Sequence, residues 1–180
     1  HAVTMQLPVR RVVRLCRQPT HPWARLDNMS SPDPLDRSLL RLLLTEPRLG
    51  VLETSRRLGV ARGTVQARLT RLERTGVLRD WAPAVDPARM GFPVLAFATL
   101  EVHQGKGHAA IAAHLRSIPE VLEAHTTSGH GDLLCRVVAR DHADLQRVLD
   151  AITATGLVSR TSTVISLTNE VSYRVAQLLD

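Results

Sequence analysis

Aromatic residues are nearly absent, at 3% of 180 residues, so any core must be built from Leu, Val, Ile and Ala. Cysteine occurs twice, at Cys16 and Cys135, far apart and outside any CxxC spacing. That excludes a disulfide framework and gives no support for a zinc site; a reducing compartment, the cytoplasm, is the expected location. Cys135 sits in an apolar run and reads as buried packing. No apolar run approaches the ~20 residues that span a bilayer. Acids are missing from residues 1–26, which carry five arginines before the first acid at Asp27.

That last absence extends into a polarity along the chain. Residues 1–80 hold fifteen arginines against seven acids, whereas 81–180 hold eight cations against ten acids. A strongly basic half suits phosphate, and a neutral-to-acidic half suits a protein or a small molecule. The first part of the basic half, residues 1–32, reads as an arm. Within it Val9, Val12, Val13 and Cys16 recur at i, i+3, i+4 and i+7, with Pro8 as a first helical residue and arginines off the stripe. This predicts a short amphipathic basic helix. Two other readings stay open: an organellar transit peptide, matched in composition only, and an upstream extension before a natural start at Met29.

Asp33-Pro34-Leu35-Asp36 then opens a helix, with acids at the positive end of its dipole and Leu35, Leu39, Leu42 and Leu43 as its apolar stripe. Val51 to Thr75 follows as a helix-turn-helix. Leu52 and Leu58 are expected on the buried face of the first helix, Gly59 makes the turn, and Val65, Leu69 and Leu72 line the inner side of the second. The outer side presents Gly63, Gln66, Ala67, Thr70, Arg71 and Arg74, with no acid among them. A helical hairpin with a merely solvated face is the plainer reading, but slim, amide-bearing and cationic residues together are what a major-groove helix requires. Gln66 and Arg71, with Gly63, Thr64 and Ala67, are expected at base edges, and Arg62, Arg74 and Arg79 at phosphates. Arg68 falls nearer the buried side and is expected to bond within the protein. Gly76 ends the helix, and Arg79 and Trp81 lie on an extended segment that either makes a small wing or covers the domain junction. The DNA-binding domain is placed at 33–82 and a hinge at 83–93.

From Val94 the apolar period changes. VLAFATLEV, VLEAHTTS, LLCRVVA and VSRTSTVISLT read as strands, and KGHAAIAAHLRSI and HADLQRVLDAIT as helices. The order β-α-β-β-α-β is a ferredoxin-like split motif over 94–170: a four-stranded antiparallel sheet with both helices on one face. Its uncovered face needs a partner, expected to be a second copy. Residues 171–180 are expected to form a short tail helix. The fold class is therefore α+β. Between the second and third strands, Thr127, Ser128, Gly129, His130, Gly131 and Asp132 bring together turn amides, hydroxyls and one carboxylate. Such groups suit a zwitterionic amino acid, but on these residues alone an ordinary hairpin turn, with Gly for positive φ and Asp capping its own backbone, is the favoured reading.

Taken in order, Leu35-Asp36, RLGVARGTVQARLTRLERTGVL at 57–78, VDPARMG at 85–91, IPEV at 118–121, TSGHGDLL at 127–134 and RTSTVISL at 160–167 resemble the Lrp/AsnC (leucine-responsive/asparagine-operon, feast/famine) transcription regulators. The resemblance covers about residues 35–170. It implies a winged helix-turn-helix hinged to a ligand-sensing domain, binding of double-stranded DNA, and dimers assembling into tetramers or octamers. It also implies an amino-acid effector held at the turn 127–132, with Thr161 and Thr163 nearby and His130 tuning the side chain accepted. Two positions depart from the family's habit: Ala61 stands at the helix N-cap where Ser is usual, and Ser55 where Ala is usual.

An enzyme is the poorer alternative. Ser128, His130 and Asp132 mimic a triad, and His125, His130 and Asp132 a metal set. Groups alternating along one strand end and turn cannot easily converge on one atom, however. No catalytic residue, metal or cofactor is expected. A sequence-indifferent DNA organiser without an effector is the other alternative.

Overall fold

The structure is a computed structural model and describes residues 31–103 and 108–180. The helix expected around Val9–Cys16, and the arm before residue 31, lie outside the described residues. The chain divides into two units. One takes the described residues up to Asp80 together with Arg174–Asp180, and the other is Trp81–Tyr173.

In the first unit, α1 (Pro34–Thr45) starts where Pro34 fixes a helical φ and Asp33 caps the Asp36 amide. The Asp36 carboxylate returns the bond by accepting the Asp33 N–H. After α1, α2 (Val51–Leu58) ends at Gly59, whose φ of 65° is the left-handed conformation glycine adopts without strain. Then α3 (Arg62–Arg74) begins at Ala61, which offers no side-chain cap. Leu39, Leu40, Leu43, Val65, Leu69 and Leu72 form the buried core, and Val51, Leu58, Val60, Val77, Leu78 and Leu179 pack around it. Each large aliphatic buried this way contributes about 1.5–3 kcal/mol.

Two expectations about this unit are corrected. Leu58 packs against the core as expected, but Leu52 is half exposed, and the inner face of α2 is completed by Thr54 and Ser55, both buried. Leu52 and Leu58 are six residues apart, which at 3.6 residues per turn places them on different sides. The two hydroxyls tolerate burial because each donates within the helix, Thr54 to the Gly50 carbonyl and Ser55 to the Leu52 carbonyl. On α1 it is Leu40, not Leu42, that joins Leu39 and Leu43 in the core. The tail forms a single 3-10 turn at Ala176–Leu179. It rests on α1, where Arg41 donates to the Leu179 carbonyl at 2.7 Å and to Asp180 at 2.8 Å.

The second unit opens with a 3-10 turn at Ala88–Met90 inside the expected hinge, closed by Gly91 at φ 95°. No strand forms between Gly76 and Pro93, so the segment of Arg79 and Trp81 carries no wing ladder. The strands are β1 (Val94–Val102), β2 (Val121–Thr126), β3 (Leu133–Ala139) and β4 (Val158–Ile165). They lie in the order β2-β3-β1-β4, with antiparallel neighbours throughout. Between them run α4 (His108–Arg116) and α5 (His142–Thr153). Ala96, Ala98 and Leu100 alternate inward with Leu133, Cys135, Val137 and Ala139, and meet Ile111, Leu115, Leu145, Val148 and Ile152 of the helices. The intervening residues Leu95, Phe97 and Thr99 on β1 and Leu134 and Arg136 on β3 fall on the opposite face, each half-buried. This is the expected split motif, with aliphatic packing in place of aromatics.

Candidate nucleic-acid interface and ligand turn

On α3 the core claims Val65, Leu69 and Leu72, and the helical period therefore turns Arg62, Gly63, Thr64, Gln66, Ala67, Thr70 and Arg74 outward, all exposed. Over its first two and a half turns this face carries no acid. Glu73 is also exposed, two turns beyond Gln66, so the acid-free stretch ends after Thr70. Arg79 is exposed beyond the helix end.

The arginines at the rim of this face have unequal freedom. Arg68 donates to both Asp33 and Asp36, reaching Asp36 at 2.8 Å. Its expected intramolecular role is the one it has. Arg71, expected at base edges, donates to Asp36 through Nη2. This bond has a simple cause: Arg71 lies at the edge between the outer face and α1, and a buried carboxylate within reach outcompetes water for its guanidinium. Asp36 is fully buried, while the Arg68 and Arg71 side chains stay 25% and 37% exposed. Burial by itself pushes the Asp36 carboxyl up, but Arg68, the Asp33 amide and Arg71 outweigh it and hold the group below its ordinary value. Asp33 is lowered too, chiefly by Arg68 and then by the Asp36 amide. Asp33, Gly63, Thr64, Ala67, Arg68 and Arg71 together line a shallow depression on the outer side.

Asp36 is the residue that reading the sequence missed. The sequence places this acid at the positive end of the helix dipole and in the Leu35-Asp36 pair, and neither points to an interhelical bond. The available signal was Arg68, a cation on the inner edge of α3 that required a buried anion.

In the second unit the turn after β2 is folded back on β1. Asp132 donates its N–H to the Leu100 carbonyl at 2.8 Å, and its Oδ2 accepts the Val102 N–H at 2.6 Å. The Thr127 hydroxyl donates to the Gly131 carbonyl. Gly131 has φ +85°, and a Cβ there would lie 2.3 Å from the Thr99 methyl. Thr127 and Asp132 thus hold the turn closed, while Ser128, Gly129 and His130 are its exposed members. Thr161 and Thr163 stand on β4, opposite Leu100 and Ala98. β1 lies between them and the turn. The Thr161 Oγ1 is buried with no hydrogen-bond partner. His125 lies 3.5 Å from Glu123. Among the described residues no group of three or more His, Cys, Asp and Glu side chains is placed to hold a metal ion. Burial pushes the Cys135 thiol up to about 11, which leaves it protonated and unreactive.

Comparison with known proteins separates the same two units. Residues 32–79 match the winged helix-turn-helix DNA-binding family, and residues 94–175 match the Lrp/AsnC ligand binding domain. The regulatory protein AsnC of Escherichia coli is 30% identical over 140 residues, covering 77% of this chain and 92% of that protein. The chain belongs to the Lrp/AsnC family. Other members include the HTH-type transcriptional regulator FL11 of Pyrococcus abyssi, 30% identical over 76% of this chain and 90% of that protein. The solved structure of E. coli AsnC superposes with a TM-score of 0.75 at 27% identity, over 82% of this chain and 99% of that one. The feast or famine regulatory protein from M. tuberculosis, complexed with L-methionine, does so at 0.73 and 28% identity, over 81% and 98%. The chain is accordingly an HTH-type transcriptional regulator with a ligand-binding domain of the Lrp/AsnC type. Among the described residues no helix is long and apolar enough to cross a membrane.

Proposed function

We propose that this regulator reads duplex DNA with the outer face of α3 and that a small amino acid held near the turn 127–132 modulates it. The observation that carries the first half is the exposed row Gly63, Gln66, Ala67 and Thr70, slim and acid-free, flanked by Arg62 and Arg74. Gln66 offers an amide to an adenine edge, Gly63 and Ala67 permit close approach, and Arg62, Arg74 and Arg79 meet phosphates. With Asp36 already engaging it, Arg71 contacts the DNA backbone rather than a base.

For the effector, the exposed amides of Gly129 and its neighbours suit a carboxylate, and the Asp132 oxygen not bonded to Val102 suits an ammonium. Ser128 and His130 are the side chains free to select among ligands. The methionine-bound relative supports an amino acid as the ligand class. A second copy covers the open sheet face around Leu95, Phe97 and Leu134, giving a homodimer with two α3 helices on half-sites ~10 bp, or multiples of it, apart. Further assembly into tetramers or octamers brings Thr161 and Thr163 of one copy toward another's turn.

Calorimetry with the common amino acids, on the wild type and on Ser128→Ala and His130→Ala, tests the effector. Heat from at least one amino acid, altered by these variants with DNA binding intact, is the expected result. No heat from any of them removes the effector from the account and favours a DNA organiser.

A further inference from the structure

Asp36 is buried completely, yet two of the three side chains bonded or paired around it, Arg68 and Arg71, come from α3, 32 and 35 residues away. The third, Asp33, caps the same helix and also holds Arg68. An aspartate needed only to start α1 would be satisfied by the Asp33 amide it already accepts. The two guanidinium groups are surplus to that task. Their stems leave α3 at the rim of the depression shared with Gly63, Thr64 and Ala67, so what fixes them also fixes the edge of the DNA-facing surface.

We infer that Asp36 is a positioning residue for DNA recognition, acting through Arg71: it presets the Arg71 guanidinium so that its outward donors meet a backbone phosphate in one orientation. This rests on the reading that the outer face of α3 meets DNA. A guanidinium carries five donors in a rigid fork, and Asp36 is bonded to one of its terminal nitrogens, leaving others for an anion. A phosphate contact made in one fixed place sets the register of α3 in the groove, and so affects which bases Gln66 and Thr70 meet. Without the carboxylate, Arg71 remains a cation near DNA but is free to take whichever phosphate is nearest. Asp36 therefore raises discrimination rather than affinity, since its own charge opposes the DNA.

The test uses the full chain with two probes: a duplex enriched by the wild type from a random library, and a scrambled duplex of equal composition. Asp36→Asn should bind the enriched duplex about tenfold more weakly, a loss typical of one coupled contact, while holding or gaining affinity for the scrambled one. In an Arg71→Ala background the same substitution should add little further loss. Arg71→Lys keeps the charge without the fork and should mimic Asp36→Asn; it carries the test should Asp36→Asn fail to fold. Equal losses on both duplexes, or an Asp36→Asn effect unchanged by Arg71→Ala, would show a role in folding alone and overturn the inference. A wild type that enriches no duplex would overturn the reading beneath it as well.

Discussion

Two helices in this molecule begin in the same way and do different things. α1 opens Asp33-Pro34-Leu35-Asp36 and α5 opens Asp141-His142-Ala143-Asp144. In both, the first aspartate caps the amide of the second, at 2.9 and 2.7 Å, and the second is buried and gripped by two arginines. For Asp144 those arginines are local: Arg140 and Arg147, within four residues, with Arg147 reaching on to Glu120. For Asp36 they belong to α3. The same three-residue spacing thus makes a self-contained helix start in the ligand-binding unit and a clamp between helices in the DNA-binding unit. What decides is the position of the cations, not of the acids.

The largest effect that would sharpen this contrast is Asp36→Ala. Removing a buried carboxylate from two cations costs about 3 kcal/mol of stability in the first unit, read by hydrogen exchange at α1 and α3 amides. Asp144→Ala should cost its unit less, because Arg140 and Arg147 are 63% and 50% exposed and return to water. Equal losses would break the comparison. Next comes Gly131→Ala, where positive φ and the Thr99 methyl together cost about 1–3 kcal/mol in β1 and β3 and leave α3 untouched.

Acid should act on both starts in the same direction. Asp33 and Asp36 are held below their ordinary 3.8, and Asp144 well below it, chiefly by Arg140. A lowered pKa in the folded state adds stability that is present above the unfolded value and lost as pH falls through the folded one. Unfolding titrations should therefore show stability falling from about pH 4 downward. That loss should shrink in the first unit of Asp36→Asn and in the second unit of Asp144→Asn. The smallest expected effect is Arg74→Ala, which should lower the salt dependence of DNA binding by about one counterion without changing sequence preference.

Much of this was legible in advance because it follows from period and turn chemistry. Gly59 and Gly76 marked helix ends, LLCRVVA and HADLQRVLDAIT matched β3 and α5 residue for residue, and Arg68 was placed by its angle on α3. Leu52 was expected inside and Thr54 and Ser55 were passed over, because two hydroxyls bonded within their own helix pack like small apolar groups, which composition does not reveal. The bond from Arg71 to Asp36 was not legible, because a base-reading arginine and an ion-paired one occupy the same helical angle. Only the buried carboxylate 35 residues earlier separates them. The turn 127–132 was open to two readings, a ligand cradle or an ordinary hairpin turn, and neither showed that Thr127 and Asp132 close it upon β1. That fold-back depends on strand pairing across the sheet, which local sequence does not encode.

The central claim is that the outer face of α3 reads sequence from a scaffold fixed by its inner edge. Gln66 isolates that claim, being exposed and outside both the core and the Asp36 clamp. Binding of Gln66→Ala to the enriched and the scrambled duplex, at matched salt, tests it most directly. The account predicts a loss of about 1–3 kcal/mol on the enriched duplex with the scrambled one unchanged. An unchanged affinity for both, or an equal fall on both, would contradict it.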